Sequence, residues 1–320
     1  MIKIYQSRKD FIYCSESLVA YYLSEKGVPY HFLLSNTWNF IYRSPGEISA
    51  REAGRPGDWE DETTAVWDNL ADLYGIQKIK DEGRDLREAL REAAASGEGL
   101  FVCLNGRHLP WHDSYQQKDE FHYNLMDRYD VQNDQVLLIN VWPKSSKEWV
   151  AVSTLEEAYY EKRRTYKLTE PKLNLSQDLV SKQLKLTLQN MRGQAGASDG
   201  GLGGVAGVSL FLEDIVRHED YIFSKLDELW DSLKYVIDAK DGFLEFLHFL
   251  SDQNNGLTGK EMGREWLETF DQTVQSWEIL RRLFLKSKFT GWRDVAQFQK
   301  RIAQILEQEW NCIHALERVV

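Results

Sequence analysis

The sequence predicts a two-part α+β protein, with a mixed first half followed by an all-helical domain. Up to about Trp149, short helical segments alternate with short apolar strands. From Leu175 onwards, apolar residues recur at helical spacing and no clear strand pattern appears. Residues 169–172, Thr-Glu-Pro-Lys, interrupt both patterns. We therefore predict two domains, residues 1–165 and residues 175–320.

Helices and strands of both halves follow from the spacing of apolar residues and from Gly and Pro at the boundaries. In the first half, helices are predicted at residues 15–26, 60–74 and 85–95. Strands are predicted at Gly99–Asn105, 122–129 and 135–142, the last two joined by a polar hairpin loop. In the second half, helices are predicted at residues 176–191, 205–216, 220–237, 242–251, 260–286 and 292–315.

Length, composition and charge narrow the possible classes of protein. The chain has 320 residues, 42% of them hydrophobic, which is enough for two cores. No apolar run approaches the roughly 18 residues of a membrane helix, and the N-terminus lacks a signal-peptide core. We therefore expect a cytoplasmic protein with no membrane partner. The net charge of −11 disfavours nucleic acid as a partner.

Cys14 has the position of a possible nucleophile. It falls at the N-terminal end of the first predicted helix, where the helix dipole lowers the pKa of a thiol. The other interpretation is a small buried hydrophobic residue, which is the commoner fate of a free cysteine. With Cys103 and Cys312, the chain has too few and too scattered cysteines for a disulfide framework or a thiolate zinc site.

His122 and Asn140 lie on the two strands of the predicted hairpin. If its loop is centred on Gln132, paired residue numbers have an even sum and Asn140 lies opposite Asn124. His122 and Asn140 are then diagonal neighbours on one face, whereas a one-residue slip would put them on opposite faces. Cys, His and Asn in this order are typical of papain-like enzymes. The alternative is a hydrogen-bonded core histidine beside an asparagine near a turn.

Several segments resemble the N-terminal domain of the butirosin-biosynthesis acyltransferase family. The most distinctive feature is the Leu-Pro-Trp-His turn, Leu109 to His112, ahead of His122. The matching segments are residues 13–18 (YCSESL), 99–112 (GLFVCLNGRHLPWH), 121–123 (FHY) and 136–141 (VLLINV). The resemblance covers about residues 1–143 and is faint beyond them, where it rests on helices and on the glycine-rich segment before residues 210–214.

The resemblance implies a papain-like domain, akin to bacteriocin-leader peptidases, followed by a helical substrate-binding domain. It implies transfer of an acyl group from a carrier-protein thioester to an amine through acyl-Cys14, in antibiotic biosynthesis such as aminoglycoside or thioamide assembly. His122 would be the general base and acid, and Asn140 the residue that orients it. The implied partners are an acyl or peptidyl carrier protein and a small amine. No cofactor is implied beyond the carrier's phosphopantetheine arm.

The family usually has Asp at the position of Asn140. A neutral amide can orient an imidazole but stabilises imidazolium less than a carboxylate does. Asp127 and Asp130 are spare carboxylates on the hairpin, but Asp130 lies in the loop and Asp127 has the opposite parity from His122. We therefore keep Asn140 as the third member of the predicted triad.

Other residues are weaker candidates. His108, Trp111 and His112 are predicted to line the substrate entrance, and we expect no metal site because Pro110 forbids the helix that would align the two histidines. Gln6 is a candidate oxyanion donor beside the backbone N–H of Cys14, or an ordinary surface glutamine. Basic runs at residues 162–164 and 281–288 could dock an acidic carrier protein or simply face water. Competing functions are a peptidase or thioesterase with the same triad, and a non-catalytic binding protein.

Overall fold

The computed structural model describes residues 14–48, 65–140, 146–160, 163–193, 201–252 and 264–320. Its α-helices are α1 (Cys14–Glu25), α2 (Ala65–Tyr74), α3 (Leu86–Ser96), α4 (Val152–Tyr160), α5 (Gln177–Met191), α6 (Gly204–Arg217), α7 (Glu219–Ser224), α8 (Leu226–Asp252), α9 (Arg264–Thr290) and α10 (Val295–Glu317). Its strands are β1 (Ile41–Arg43), β2 (Glu47–Ile48), β3 (Lys78–Glu82), β4 (Gly99–Asn105), β5 (Phe121–Asp130), β6 (Gln135–Asn140), β7 (Ser146–Ala151), β8 (Arg164–Leu168) and β9 (Leu202–Gly203). This is a mixed α+β architecture, as the sequence predicts.

Two compact units divide the chain differently from the predicted domains. The first unit consists of Met1–Tyr30 and Asn69–Asn174, and the second of His31–Asp68 and Leu175–Val320. The sequence predicts residues 31–68 in the first domain, but in the structure they belong to the second unit. The reason is visible in β1, which pairs with β9 of the second half rather than with the sheet of the first unit.

A six-stranded antiparallel sheet forms the centre of the first unit, in the order β3-β8-β4-β5-β6-β7. The prediction for β4 is confirmed residue for residue, because its continuous apolar run is buried on both faces. Strands β3, β7 and β8 are not predicted from the sequence, because their segments KIKDE, SKEWVA and RTYKL are rich in polar residues. Strand β8 also continues past residue 165, the predicted end of the first domain. The predicted domain end therefore lies too early in the chain.

The two faces of this sheet are covered by different helices. Leu100, Val102 and Leu104 of β4 share a hydrophobic core with α3 and α4, and we name this side the α3/α4 face. Phe101 points to the other side, where its ring packs edge to face against the Tyr22 ring of α1, with ring centroids 6.3 Å apart. We name this side the α1 face. Because side chains alternate along a strand, residue parity decides which helix a side chain meets.

A β-bulge in the β5–β6 hairpin sets the register at the end of the sheet. Near the loop Asp130 pairs with Gln135, so the loop has four residues and is not centred on Gln132 as predicted. The register then shifts between Met126 and Arg128, which leaves Asp127 as an extra residue. Beyond the bulge Leu125 pairs with Ile139, so paired residue numbers have an even sum, as predicted. The cause is the bulge at Asp127 and not a loop centred on Gln132.

The second unit is mainly but not purely helical. Its three-stranded sheet, in the order β2-β1-β9, corrects the prediction of an all-helical second half, since β9 lies beyond residue 175. The two helices predicted at residues 220–237 and 242–251 are replaced by the short α7 and one long helix, α8. Gly242 continues α8, and a Cβ atom there would lie 3.3 Å from Leu34 Cδ2, so this glycine permits close packing.

A buried ion pair lies in the core of the second unit. Lys240 Nζ is 2.7 Å from Glu309 Oε1, and both side chains are almost completely buried. The same carboxylate accepts hydrogen bonds from the indole N–H groups of Trp38, at 2.7 Å, and Trp277, at 2.8 Å. The ammonium group also lies 4.2 Å from the centre of the Trp38 ring. Glu309 therefore satisfies three donors that would otherwise be buried without an acceptor.

We expect Glu309→Gln to lower the free energy of unfolding by about 3 to 5 kcal/mol, because it leaves the Lys240 charge buried without a counter-charge. Glu307→Gln, an exposed position on the same helix, should change it by less than ~0.5 kcal/mol. Urea denaturation followed by tryptophan fluorescence measures both. Equal effects of the two substitutions would contradict the stabilising role of the ion pair.

Candidate active site

Cys14 lies in α1 and is the first residue of this helix in the described part of the structure. Because residues 1–13 lie outside the described residues, the place of Cys14 at the helix N-terminus stays a prediction. The Cys14 side chain, like Gln6 and the rest of residues 1–13, lies outside the described part of the structure. The described thiols are Cys103, which is 2% exposed, and Cys312, which is 0% exposed. Burial raises the pKa of the Cys312 thiol, so this residue is a poor nucleophile.

Helix α1 contacts the beginning of β4 and also contacts β5, the strand that carries His122. Tyr22 packs against Gly99, and Lys26 Nζ donates a hydrogen bond to the Gly97 carbonyl at 3.2 Å, so α1 ends where β4 begins. Eight residues of helix, about 12 Å, separate Tyr22 from Cys14, and we infer from these contacts that Cys14 lies towards the other end of β4. At that end β5 begins, and His122 pairs with Leu104.

Strand alternation nevertheless puts α1 and the His122 side chain on opposite faces of the sheet. His122 lies directly opposite Leu104, so the two side chains point to the same face of the sheet. Leu104 points to the α3/α4 face. Helix α1 covers the other face through the contact of Tyr22 with Phe101. Helix α1 and the His122 imidazole therefore lie on opposite sides of the sheet.

The His122 imidazole is buried and has no hydrogen-bond partner in the described part of the chain. It is 7% exposed, and neither Nδ1 nor Nε2 has a partner among the described residues. Burial, with a smaller contribution from the neighbouring His112, lowers the pKa of His122 to about 4. The ring is therefore neutral at pH 7, with one nitrogen free to accept a proton and the other to donate one.

Asn140 lies on the same face as His122 but does not hydrogen-bond to it. Continuing the pairing of Leu125 with Ile139 by one residue puts Asn140 opposite Asn124, as predicted. Asn140 is 1% exposed. Since both nitrogens of His122 lack a partner, the orienting contact that the resemblance implies for Asn140 is not made. Asn124, between the two, is fully buried and its amide N and O atoms also lack partners.

His112 packs directly on His122. The two rings are stacked, with centroids 4.4 Å apart and planes at 22°. His112 Nδ1 accepts a hydrogen bond from the backbone N–H of Ser114 at 3.1 Å, so the neutral ring carries its proton on Nε2. Burial lowers the pKa of His112, which keeps this neutral form at pH 7. His112, predicted to line a substrate entrance, is thus 4% exposed and part of a buried polar cluster.

We define the buried polar cluster as His112, His122, Asn124 and Asn140. Its scaffold is the loop between β4 and β5. Asn105 begins this loop and its side-chain oxygen accepts hydrogen bonds from the backbone N–H groups of Arg107 and Glu120. The hydrogen bond from Glu120 connects the end of β4 to the residue before β5 and so closes the loop that contains His112.

His108 and Trp111 are not part of this cluster. His108 Nδ1 lies 3.2 Å from Glu157 of α4, and Trp111 is 38% exposed. Both side chains therefore remain near the surface, where contact with a ligand stays a prediction. The spare carboxylates lie elsewhere: Asp130 caps the hairpin loop, and Asp127 lies 3.5 Å from Lys147.

The basic residues of α9 already have partners within the second unit. Arg281 stacks on the Trp230 ring at 3.9 Å, and Lys286 lies 4.0 Å from the centre of the Trp292 ring. Arg282 pairs with Glu278, and Lys288 with Asp227. This favours the simpler interpretation of the run 281–288 as a solvated, internally balanced face over a ready docking patch.

A separate open cleft lies at the opposite end of the sheet. Its volume is about 560 Å³, and the end of α1, the bulge around Asp127 and Trp149 line it. His108, Trp111, His112, His122 and Asn140, the predicted catalytic and substrate-binding residues with described side chains, are not among those that line it. The cleft is therefore distinct from the buried polar cluster.

The stacking of His112 on His122 and the burial of Asn124 beside His122 are not predicted from the sequence. Ten residues separate the two histidines, and no periodicity connects a loop residue with a strand residue at that distance. Gly106 was the available signal, because a Cβ atom there would lie 2.7 Å from Cε1 of His112. Only glycine leaves room for the His112 ring against the end of β4.

Comparison with known proteins gives no family assignment. Neither a scan against protein-family models nor a search of curated proteins found a match. Among the described residues, no helix has the length and apolar character needed to cross a membrane. In the same residues, no group of three His, Cys, Asp or Glu side chains is arranged to hold a metal ion.

We expect Gly106→Ala to destabilise the protein by about 1 to 3 kcal/mol, because the new methyl group overlaps the buried His112 ring. The backbone of Gly106 is not left-handed, so conformational strain adds nothing. In a His112→Ala background the same substitution should cost less than ~1 kcal/mol. A double-mutant cycle of unfolding free energies measures the difference. Additive effects of the two substitutions would argue against the contact.

Proposed function

We propose that this protein is a cysteine-dependent acyltransferase with a papain-like catalytic domain. The observation that carries the proposal is that His122 is buried with both nitrogens unpartnered among the described residues, on strand β5, which contacts α1, the helix of Cys14. A buried polar group without a partner costs about 1 to 3 kcal/mol, so its retention favours a role in chemistry or ligand binding. The family resemblance of residues 1–143 supports the same assignment.

The proposed reaction proceeds in two steps. The Cys14 thiol gives its proton to His122 and its sulfur attacks the carbonyl carbon of a thioester. The thiol of the carrier's phosphopantetheine arm leaves with that proton, and acyl-Cys14 remains. An amine then attacks the acyl group, His122 takes the amine proton, and the proton returns to the Cys14 sulfur as the amide is released. The acyl donor is an acyl or peptidyl carrier protein, and the acceptor is a small amine.

The buried polar cluster suits acyl transfer better than hydrolysis. His112, His122, Asn124 and Asn140 are each at most 7% exposed, so bulk water has little access to the base. An acyl-enzyme survives long enough to meet an amine only where water is kept away. Hydrolysis by a peptidase or thioesterase is the competing outcome of the same residues.

Because α1 and the His122 side chain lie on opposite faces of the sheet, the proposed reaction requires a particular geometry. The thiol and the imidazole have to meet around the end of the sheet, beyond Phe121, rather than across one face. In that arrangement the helix N-terminus assists thiolate formation while the cluster on the α3/α4 face holds the base. A biosynthetic role in the cytoplasm, as in antibiotic assembly, completes the proposal.

Incubation with octanoyl-pantetheine should add one octanoyl group to Cys14, detected by intact mass and peptide mapping. His122→Ala should slow this acylation by about 10²- to 10⁴-fold, because the general base is lost. His218→Ala, an exposed histidine of the second unit, is the control and should react like the wild type. Cys14→Ser should give no thioester adduct, whereas Cys103→Ser should retain it.

Addition of a simple amine such as 1,4-diaminobutane then separates transfer from hydrolysis. The proposal expects octanoyl amide as the main product. Octanoic acid as the main product would instead identify a thioesterase. Adducts on Cys103 or Cys312, or equal rates for His122→Ala and His218→Ala, would reject the catalytic assignment altogether.

A further inference from the structure

Something other than hydrogen bonding fixes the orientation of the His122 ring. Both ring nitrogens are buried without a partner among the described residues, including Asn140. An imidazole with no hydrogen bond can exchange the positions of its two nitrogens by rotation about Cβ–Cγ, unless packing prevents it. A general base needs one particular nitrogen directed at the reacting group. The flat surface that packs on His122 is the His112 ring.

His112 is itself held firmly in place. Its backbone N–H donates to the Leu109 carbonyl at 2.9 Å, and its Nδ1 accepts the Ser114 N–H at 3.1 Å. Gly106 lies directly beneath the ring with no side chain to displace it. Thus a local turn, and not a distant contact, determines where the ring lies.

We propose that His112 is the positioning residue of the candidate site, which holds the His122 ring in one orientation by stacking on it. The family resemblance implies this function for Asn140, which makes no hydrogen bond to the ring. The role of this orientation in catalysis rests on the proposed function. The effect of the stacking on the His122 ring can be tested without any substrate.

A metal-binding role for the two histidines is a poorer interpretation. Lone pairs of imidazole nitrogens lie in the ring plane, so two rings stacked at 22° direct them almost parallel and not towards a common ion. In addition, His112 Nδ1 is already engaged by the Ser114 N–H. Stacking therefore fits orientation of one ring by the other.

The charges around the pair are few. Glu120 acts on both rings and favours their protonated forms, while Asp113 and Lys118 act on His112 with opposite signs. The surroundings on the α3/α4 face, such as Leu104 and Leu109, are apolar. Burial therefore dominates, and it depends on the His112 ring filling the space beside His122.

The test is histidine NMR of the free protein with ¹³C,¹⁵N-labelled histidine. In the wild type, His122 should give one sharp set of ring signals that does not titrate between pH 5 and 8. In His112→Ala, water enters the vacated space, so the signals should broaden and the titration midpoint should move up into that range. His112→Phe preserves a flat ring and should restore the sharp, non-titrating signals.

Two controls separate positioning from a general loss of structure. His108→Ala removes a histidine from the same loop and should leave His122 unchanged. His31, stacked on Phe249 at 4.2 Å in the second unit and with a pKa lowered to about 4 by burial, reports whether that unit stays folded. If His112→Ala fails to fold, Gly106→Ala, which pushes the His112 ring away, should raise the His122 midpoint in its place.

Unchanged His122 signals in His112→Ala, failure of His112→Phe to restore them, or an equal effect of His108→Ala would overturn the proposal. These results are distinguishable from failure of the proposed function. The NMR experiment needs neither Cys14 nor a thioester, whereas acylation of Cys14 can be absent while the stack still controls His122.

Discussion

Strand β4 is buried on both faces, and this constraint determines the rest of the first unit. Its even-numbered residues belong to a core with α3 and α4, while Phe101 meets α1. A strand in this position cannot slip by one residue without moving every side chain to the wrong layer. Because His122 pairs with Leu104, this strict alternation also assigns the imidazole to one face.

Polar residues at the end of this sheet are costly and are concentrated in one place. Asn124 and His122 are buried with no hydrogen bonds of their side chains among the described residues, although the strands around them are fully paired. Around Glu309 in the second unit, by contrast, the ammonium group of Lys240 and the indole N–H groups of Trp38 and Trp277 all have an acceptor. A satisfied network of that kind stabilises a core, whereas an unsatisfied one is typical of a site that awaits a ligand or a reacting group.

The sequence predicts elements with strong apolar patterns well and polar or long-range features poorly. Strand β4 and helix α1 follow from local patterns, whereas β3, with the sequence KIKDE, looks like a loop and becomes a strand only by pairing with β8. Gly242 resembles a helix boundary until its packing against Leu34 is known. The stack of His112 on His122 depends on the turn between β4 and β5, which no periodicity reveals.

The extra residue at Asp127 separates the hairpin tip from the cluster at its base. The pairing of Leu125 with Ile139 is held by buried side chains, so a change in length near the tip is taken up at the irregular position. Natural variants or engineered insertions at residues 131–132 should therefore be tolerated, and Val131, 60% exposed, is a suitable attachment point for a spectroscopic label. A reporter could be placed there without disturbing the imidazole pair it is meant to observe.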